Sequence, residues 1–133
     1  MSCVFCMIRD GAIPSTKIYE DDDVLAILDI SQATLGHTLV FPKIHSTNIL
    51  SISEYQFNKV MAKVHMLASK IVEATNALGV NILNNCNEAA GQSVMHFHVH
   101  IIPRYKDDDV EIKFHEHQYD LKEIALKIKE KLR

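Results

Sequence analysis

The sequence predicts an α+β fold, with an antiparallel sheet of about five strands, one long helix and shorter helices near the termini. The chain has 133 residues, 47% of them hydrophobic, enough for one domain that buries roughly two-thirds of its unfolded surface without disulfides. Short apolar runs with strand character occur at several places, and only one long segment shifts to three- and four-residue steps. Strand-like runs also follow one another directly, where a parallel doubly wound sheet would alternate strand and helix. Four glycines and three prolines exclude a low-complexity chain, and neither a repeat nor a linker divides it.

Met1 to Cys6 lacks a basic region followed by an apolar core, so no leader pattern is read there. Gly11-Ala12-Ile13-Pro14-Ser15 closes a short N-terminal segment. Lys17–Glu20 and Val24–Leu28 read as a hairpin about the turn Asp21-Asp22-Asp23, and His37–Phe41 as a third strand stopped by Pro42. From Ser53, the residues Phe57, Val60, Met61, Val64, Leu67, Ala68, Ile71, Val72 and Leu78 form the stripe of an amphipathic helix. Ser51 with Glu54, or Ser53 with Gln56, offers a capping box, and Gly79 lies just past the expected end. A helix of this length can cover a sheet with one part and meet a second subunit with another. Val80–Leu83 returns to strand, Asn84–Gln92 is a polar loop, and His96–Ile102 is a strand ended by Pro103. Asp120–Arg133 closes the chain as a helix carrying Leu121, Ile124, Ala125, Ile128 and Leu132 on one face.

The charge balance, 14 basic against 17 acidic residues, lacks the basic excess of a nucleic-acid or anionic-membrane binder. The longest apolar runs, such as Val24–Leu28, fall far short of the roughly 20 residues a membrane span needs. Three cysteines, two of them in Cys3-x-x-Cys6, do not make a secreted disulfide framework, so a cytoplasmic protein is expected.

Eight histidines are many for this length, and three stand in His96-Phe97-His98-Val99-His100. On a strand they share one face at steps of roughly 6.6 Å, with Phe97, Val99 and Ile101 directed into a core. Three titratable rings on one face suit a reactive site or a His-x-His metal site better than plain packing. Upstream, Asn85, Gly91, Gln92 and Ser93 offer donors and close backbone approach, which suits a phosphate oxyanion. Without a Gly-x-x-x-x-Gly-Lys-Ser/Thr run, a Walker-type ATPase is excluded.

His96-x-His98-x-His100, with Gly91-Gln92-Ser93 before it, resembles the histidine triad family of nucleotide hydrolases and transferases. Ile13-Pro14, Leu28-Asp29-Ile30 and Pro42-Lys43-Ile44-His45 also match, in order, from about residue 4 to 104, and the pattern is closest to small bacterial-type members. The 105–133 extension carries no matching motif. The resemblance implies that His98 attacks the α-phosphate of a purine nucleotide derivative and forms a covalent nucleotidyl-histidine that water resolves. It implies that His100 assists the leaving group, that Gln92, Ser93 and Asn85 hold phosphate oxygens, and that Asp29 grips the ribose. Phe5, Ile8, Ile27, Leu28 and Ile30 match base-pocket positions, although for Ile27 and Leu28 core packing is an equal alternative. Histidine at 100 favours hydrolysis over transfer. A nucleotide-binding or interaction module with vestigial catalysis is the alternative, which the intact triad disfavours.

Cys3-x-x-Cys6 has the spacing of half a zinc site. The resemblance implies that His45 and His96 complete a structural Zn²⁺ centre; two reduced thiols are the alternative. It also implies a homodimer.

Overall fold

In the computed structural model, which describes residues 3–133, five strands form one antiparallel sheet, in the spatial order 17–20, 24–28, 38–42, 99–104 and 79–83. Met1 and Ser2, part of the segment read as lacking a leader pattern, lie outside the described residues. A short helix α1 (Val4–Arg9) precedes β1 (Lys17–Glu20), β2 (Val24–Leu28) and β3 (Thr38–Pro42). The long helix α2 (Glu54–Thr75) follows, then β4 (Gly79–Leu83), β5 (Val99–Arg104) and the terminal helix α3 (Leu121–Lys131).

The hairpin turn is held by Asp21, whose Oδ1 accepts from Asp23 N and Val24 N at 2.8 Å each. The period-two pattern sorts side chains to the two faces. Val24, Ala26, Val40, Phe97, Val99 and Ile101 pack on one face against Val60, Val64, Leu67 and Ile71 of α2. On the other face Leu25, Ile27, Leu39 and Phe41 meet Phe5 and Ile8 of α1, with Phe5 stacked on Phe41 at a centroid distance of 4.4 Å. Six-residue α1 covers only part of that second face, which leaves room for a cavity.

Ser53 caps α2 through its Oγ, which accepts from Gln56 N at 3.2 Å. The helix ends earlier than its apolar stripe predicts. Asn76 takes the left-handed conformation, with φ 57°, and ends the helix at Thr75. Gly79, expected just past the helix end, instead opens β4, and Leu78 is exposed in the connection. Among the described residues no helix is long and apolar enough to cross a membrane.

Candidate active site and metal centre

β5 lies between β3 and β4, so it is buried on both edges. The strand runs from Val99 to Arg104, later than the expected His96–Ile102, and carries Pro103 within it. Pairing explains both differences. β3 pairs only Val99 to Ile101 and β4 reaches back only to His100, so His96 to His98 have no ladder partner. Arg104 faces β4, where its carbonyl accepts from Leu78 N, so Pro103 turns its missing N–H to the opposite side, beyond the last β3 pair. Single hydrogen bonds hold the segment before the strand: Phe97 N donates to Ser46 O at 2.6 Å, and Asn84 Nδ2 to His98 O at 2.8 Å. The alternation persists. Phe97 and Val99 enter the α2 core, while His96 and His98 meet the edge of Phe5 on the other face.

His98 is buried and lines a cavity of about 830 Å³. Its Nδ1 lies 2.7 Å from the His96 carbonyl, so Nδ1 carries the proton and donates, leaving the lone pair on Nε2. Burial lowers its pKa below the ordinary imidazole value, opposed by the His96 carbonyl and the Asp29 charge. The ring is therefore neutral at pH 7 and already in the tautomer a nucleophile needs.

His100 borders the same cavity, its ring centroid 5.0 Å from that of His98. Burial first, then the neighbouring His98 and His37, drive its pKa down to about 4. His37, just before β3, carries no role in the sequence reading, yet it is buried with Nε2 2.9 Å from His100 Nδ1. Ala33 N donates to His37 Nδ1 at 3.1 Å, so the proton of neutral His37 is on Nε2 and points at His100. His100 must then carry its own proton on Nε2. Asp29 Oδ2 stands 3.6 Å from His37 Nε2, and its Oδ1 accepts from Ser31 N at 2.8 Å. The intervening loop is latched by Gln32, whose Nε2 donates to the Asp29 and His37 carbonyls. Gly36, at φ 94°, supplies the left-handed turn before His37; a Cβ there would lie 3.0 Å from Thr75 Cγ2.

Phe5, Ile8, Ile27, Leu28, Asp29, Ile30, Ser93, His98 and His100 all border the cavity, with Ile13 and Pro14. Ile27 also belongs to the core of that face, so packing and lining are not alternatives there. Ile30 is fully exposed at the mouth. Gln92 does not border the cavity. Its Nε2 donates to Thr47 O and Val94 O, and its Oε1 accepts from Asn87 N, so a buried amide expected to hold phosphate braces the loop and has no free donor. Asn85 also lies away from the cavity, 3.7 Å from where a Cβ on Gly91 would stand, and Gly91 itself turns at φ 90°. Ser93 is the member of that group that reaches the cavity.

A second cluster sits behind His98. The ligand atoms of Cys3, Cys6, His45 and His96 lie within 4.8 Å of one another. His96 Nε2 donates to the Pro42 carbonyl at 2.7 Å, which turns the Nδ1 lone pair toward both thiols and His45. His96 Nδ1 is 3.1 Å from His45 Nδ1, 3.3 Å from Cys3 Sγ and 3.6 Å from Cys6 Sγ, and Cys6 Sγ is 3.5 Å from His45 Nδ1. A zinc tetrahedron with bonds of about 2.0 Å to nitrogen and 2.3 Å to sulfur has edges of about 3.3 Å between nitrogens and about 3.5 Å between nitrogen and sulfur. The donor set matches that shape. Burial and the adjacent Cys3 push the Cys6 thiol pKa up, and burial pulls His96 down to about 4, so a cation is the species that would stabilise these donors deprotonated.

Comparison with known proteins gives one family. Residues 10–107 match the model of the HIT domain. The Bacillus subtilis "Protein hit" is 49% identical over 108 residues, covering 81% of this chain and 74% of that protein. The Arabidopsis thaliana "Adenylylsulfatase HINT3" is 41% identical over 106 residues, covering 80% of this chain and 54% of that one. A crystal structure of a Streptococcus mutans protein is 47% identical with a TM-score of 0.95, covering 99% of this chain and 86% of that chain. A zinc-bound histidine triad family protein from Mycobacterium smegmatis is 35% identical with a TM-score of 0.79, covering 100% and 99%.

Proposed function

The chain belongs to the HIT family, and from that premise we propose that it hydrolyses purine nucleotide derivatives at the α-phosphate through a covalent intermediate on His98. One observation carries the reading: the Nδ1–H of His98 is committed to the His96 carbonyl at 2.7 Å, so a buried neutral imidazole offers its Nε2 lone pair at a cavity wall. Nε2 attacks the α-phosphorus; a P–N bond forms as the bond to the departing phosphate, sulfate or amine breaks. His100 donates from Nε2–H to the phosphoryl oxygen or departing group, held in that tautomer by His37. Water then attacks phosphorus, the P–N bond breaks, and a nucleoside monophosphate leaves with His98 regenerated. Asp29 takes the ribose hydroxyls, and Phe5, Ile8, Ile27, Leu28 and Ile30 take the base. Ser93 contributes a donor to the phosphate. The adenylylsulfatase name of the Arabidopsis relative supports cleavage at an adenylyl phosphorus.

Cys3, Cys6, His45 and His96 would hold Zn²⁺, which supplies bracing and no open coordination position, because four protein ligands close its shell. His96 would thereby tie α1 to the segment that carries His98. The zinc-bound relative supports the metal, and a homodimer using α2 and the free edge of β4 is the assembly this reading entails.

The test is AMP release from an adenosine phosphoramidate, from diadenosine polyphosphates and from adenosine phosphosulfate, with wild type and His98→Ala side by side. Wild-type turnover of at least one class, absent in His98→Ala, is expected. No AMP from any class defeats the enzyme reading and favours a binding module.

A further inference from the structure

We propose that Asn84 is a positioning residue for the nucleophile: its amide holds the peptide of His98 and so fixes where Nε2 points. This deepens, and rests on, the hydrolase reading above. His98 stands outside the ladder, since β4 ends at Leu83, paired with His100, and β3 pairs no further back than Val99. Along an antiparallel strand the carbonyls alternate between its two edges. That of Arg104 faces β4, where it accepts from Leu78 N. Steps of two then place the carbonyls of Ile102, His100 and His98 on the same side. The His98 carbonyl is the next acceptor due a donor from β4, and β4 has already ended.

Asn84 supplies that donor from its side chain. It is the first residue past β4, half-buried, and its Nδ2 donates to His98 O at 2.8 Å. Among the described residues no other hydrogen bond reaches that carbonyl. The amide replaces a ladder N–H while the main chain leaves the sheet as the loop that brings Ser93 to the cavity. Two anchors then fix the nucleophile. The peptide joining His96 to Phe97 is held at both ends, its N–H on Ser46 O at 2.6 Å and its carbonyl on the His98 Nδ1–H at 2.7 Å. Asn84 holds the carbonyl on the far side of the His98 Cα. The first anchor stops rotation of the ring, and the second stops rotation of the main chain that carries it.

The residue type matters. An ionised aspartate has the shape of asparagine but no donor, and it would set a negative charge against the carbonyl oxygen. Asn84 does not border the cavity, so it acts through His98 and touches no substrate. In-line attack on phosphorus tolerates little error, and a displacement of about 1 Å in a reacting atom can cost on the order of 10²-fold in rate. Nearby Asn87 is occupied otherwise, its Oδ1 accepting from Asn48 Nδ2 at 3.1 Å. The asparagines at 84, 85 and 87 look alike in the sequence, and one of them bonds the nucleophile's own peptide.

The experiment compares wild type with Asn84→Asp, Asn84→Ala and Asn84→Gln in the full chain. For Asp and Ala, kcat should fall by about tenfold to a hundredfold, with KM and the affinity for AMP within about threefold of wild type. Gln keeps the donor on a longer stem and should recover part of the loss. At one fixed pH, the ¹⁵N ring signals of His98 should move from the Nδ1–H tautomer in wild type toward a mixture in Asn84→Asp. An unchanged kcat in folded Asn84→Asp overturns the proposal, and so does a loss that follows Tm alone and that Gln does not relieve. If wild type releases no AMP from any substrate class, the hydrolase reading fails and the ring signals decide the role of Asn84. An unshifted His98 then overturns that role, and a shifted one upholds it. Should no variant fold, wild type decides: one Asn84 Nδ2 proton should exchange about tenfold more slowly than that of a free amide, and equal rates overturn the proposal.

Discussion

The body, residues 3–110, and the C-terminal arm, residues 111–133, are both amphipathic, but they use that property differently. In the body the apolar stripes of the sheet meet helices: α2 closes one face, and α1 partly closes the other. In the arm the apolar stripe on α3 carries no buried residue. Burial makes the body a place where imidazole chemistry can be tuned, since each buried ring must find a partner and its pKa moves with its surroundings. The arm's His115 and His117 are exposed. The buried imidazoles, His37, His96 and His98, therefore all lie in the body.

Substitutions break this contrast in order of size. His98→Ala should lower turnover by on the order of 10³-fold or more while thermal stability holds, as assayed by AMP release. Phe41→Ala removes a fully buried ring stacked on Phe5 and should cost about 3–5 kcal/mol in urea unfolding. Cys6→Ser should drop zinc from near one to below a tenth per chain by metal analysis and lower Tm; an undiminished zinc content would place the metal elsewhere. His37→Ala should lower kcat by about tenfold to a hundredfold, a scale typical of a residue that orients another. His37→Gln, which keeps a donor toward His100, should recover part of that loss, whereas a purely structural role predicts no recovery.

Acid should act on the body first. His100 is held to about 4 in the fold against 6.5 in the unfolded chain, so between those values the unfolded chain takes up a proton the folded one refuses. Its contribution to stability is full above pH 6.5, declines as pH falls toward 4, and is flat below that. The decline in Tm should be blunted in His100→Gln. At the small end, Leu126→Ser on the exposed side of α3 should change stability by less than about 0.5 kcal/mol.

Much of this was written locally. The continuous apolar run Val24–Leu28, the alternation along His96–Ile101, the α2 stripe and the Ser53 cap follow from side-chain pattern and backbone donors, so strands and helices are legible without knowing their neighbours. The same period sets Phe97 and Val99 against His96, His98 and His100. The end of α2 was less legible, because an apolar Leu78 continued the stripe while Asn76 had already turned the backbone.

What tertiary structure decided were the meetings. His37 lies 63 positions from His100, and only the β3–β5 register, with Leu39 opposite His100, brings it to the cavity face. Gln92 is an amide whose donors the sequence cannot allocate; in the fold they are taken by Thr47 and Val94. His45, Cys3, Cys6 and His96 come to a common point only because α1 packs beside the segment before β5. Sequence by itself determined the elements, the faces and the reactive run, since those depend on bonds and spacing a few residues long. The fold decided partners, tautomers and the idle face of α3, since these depend on which surfaces are left to meet once the sheet has closed.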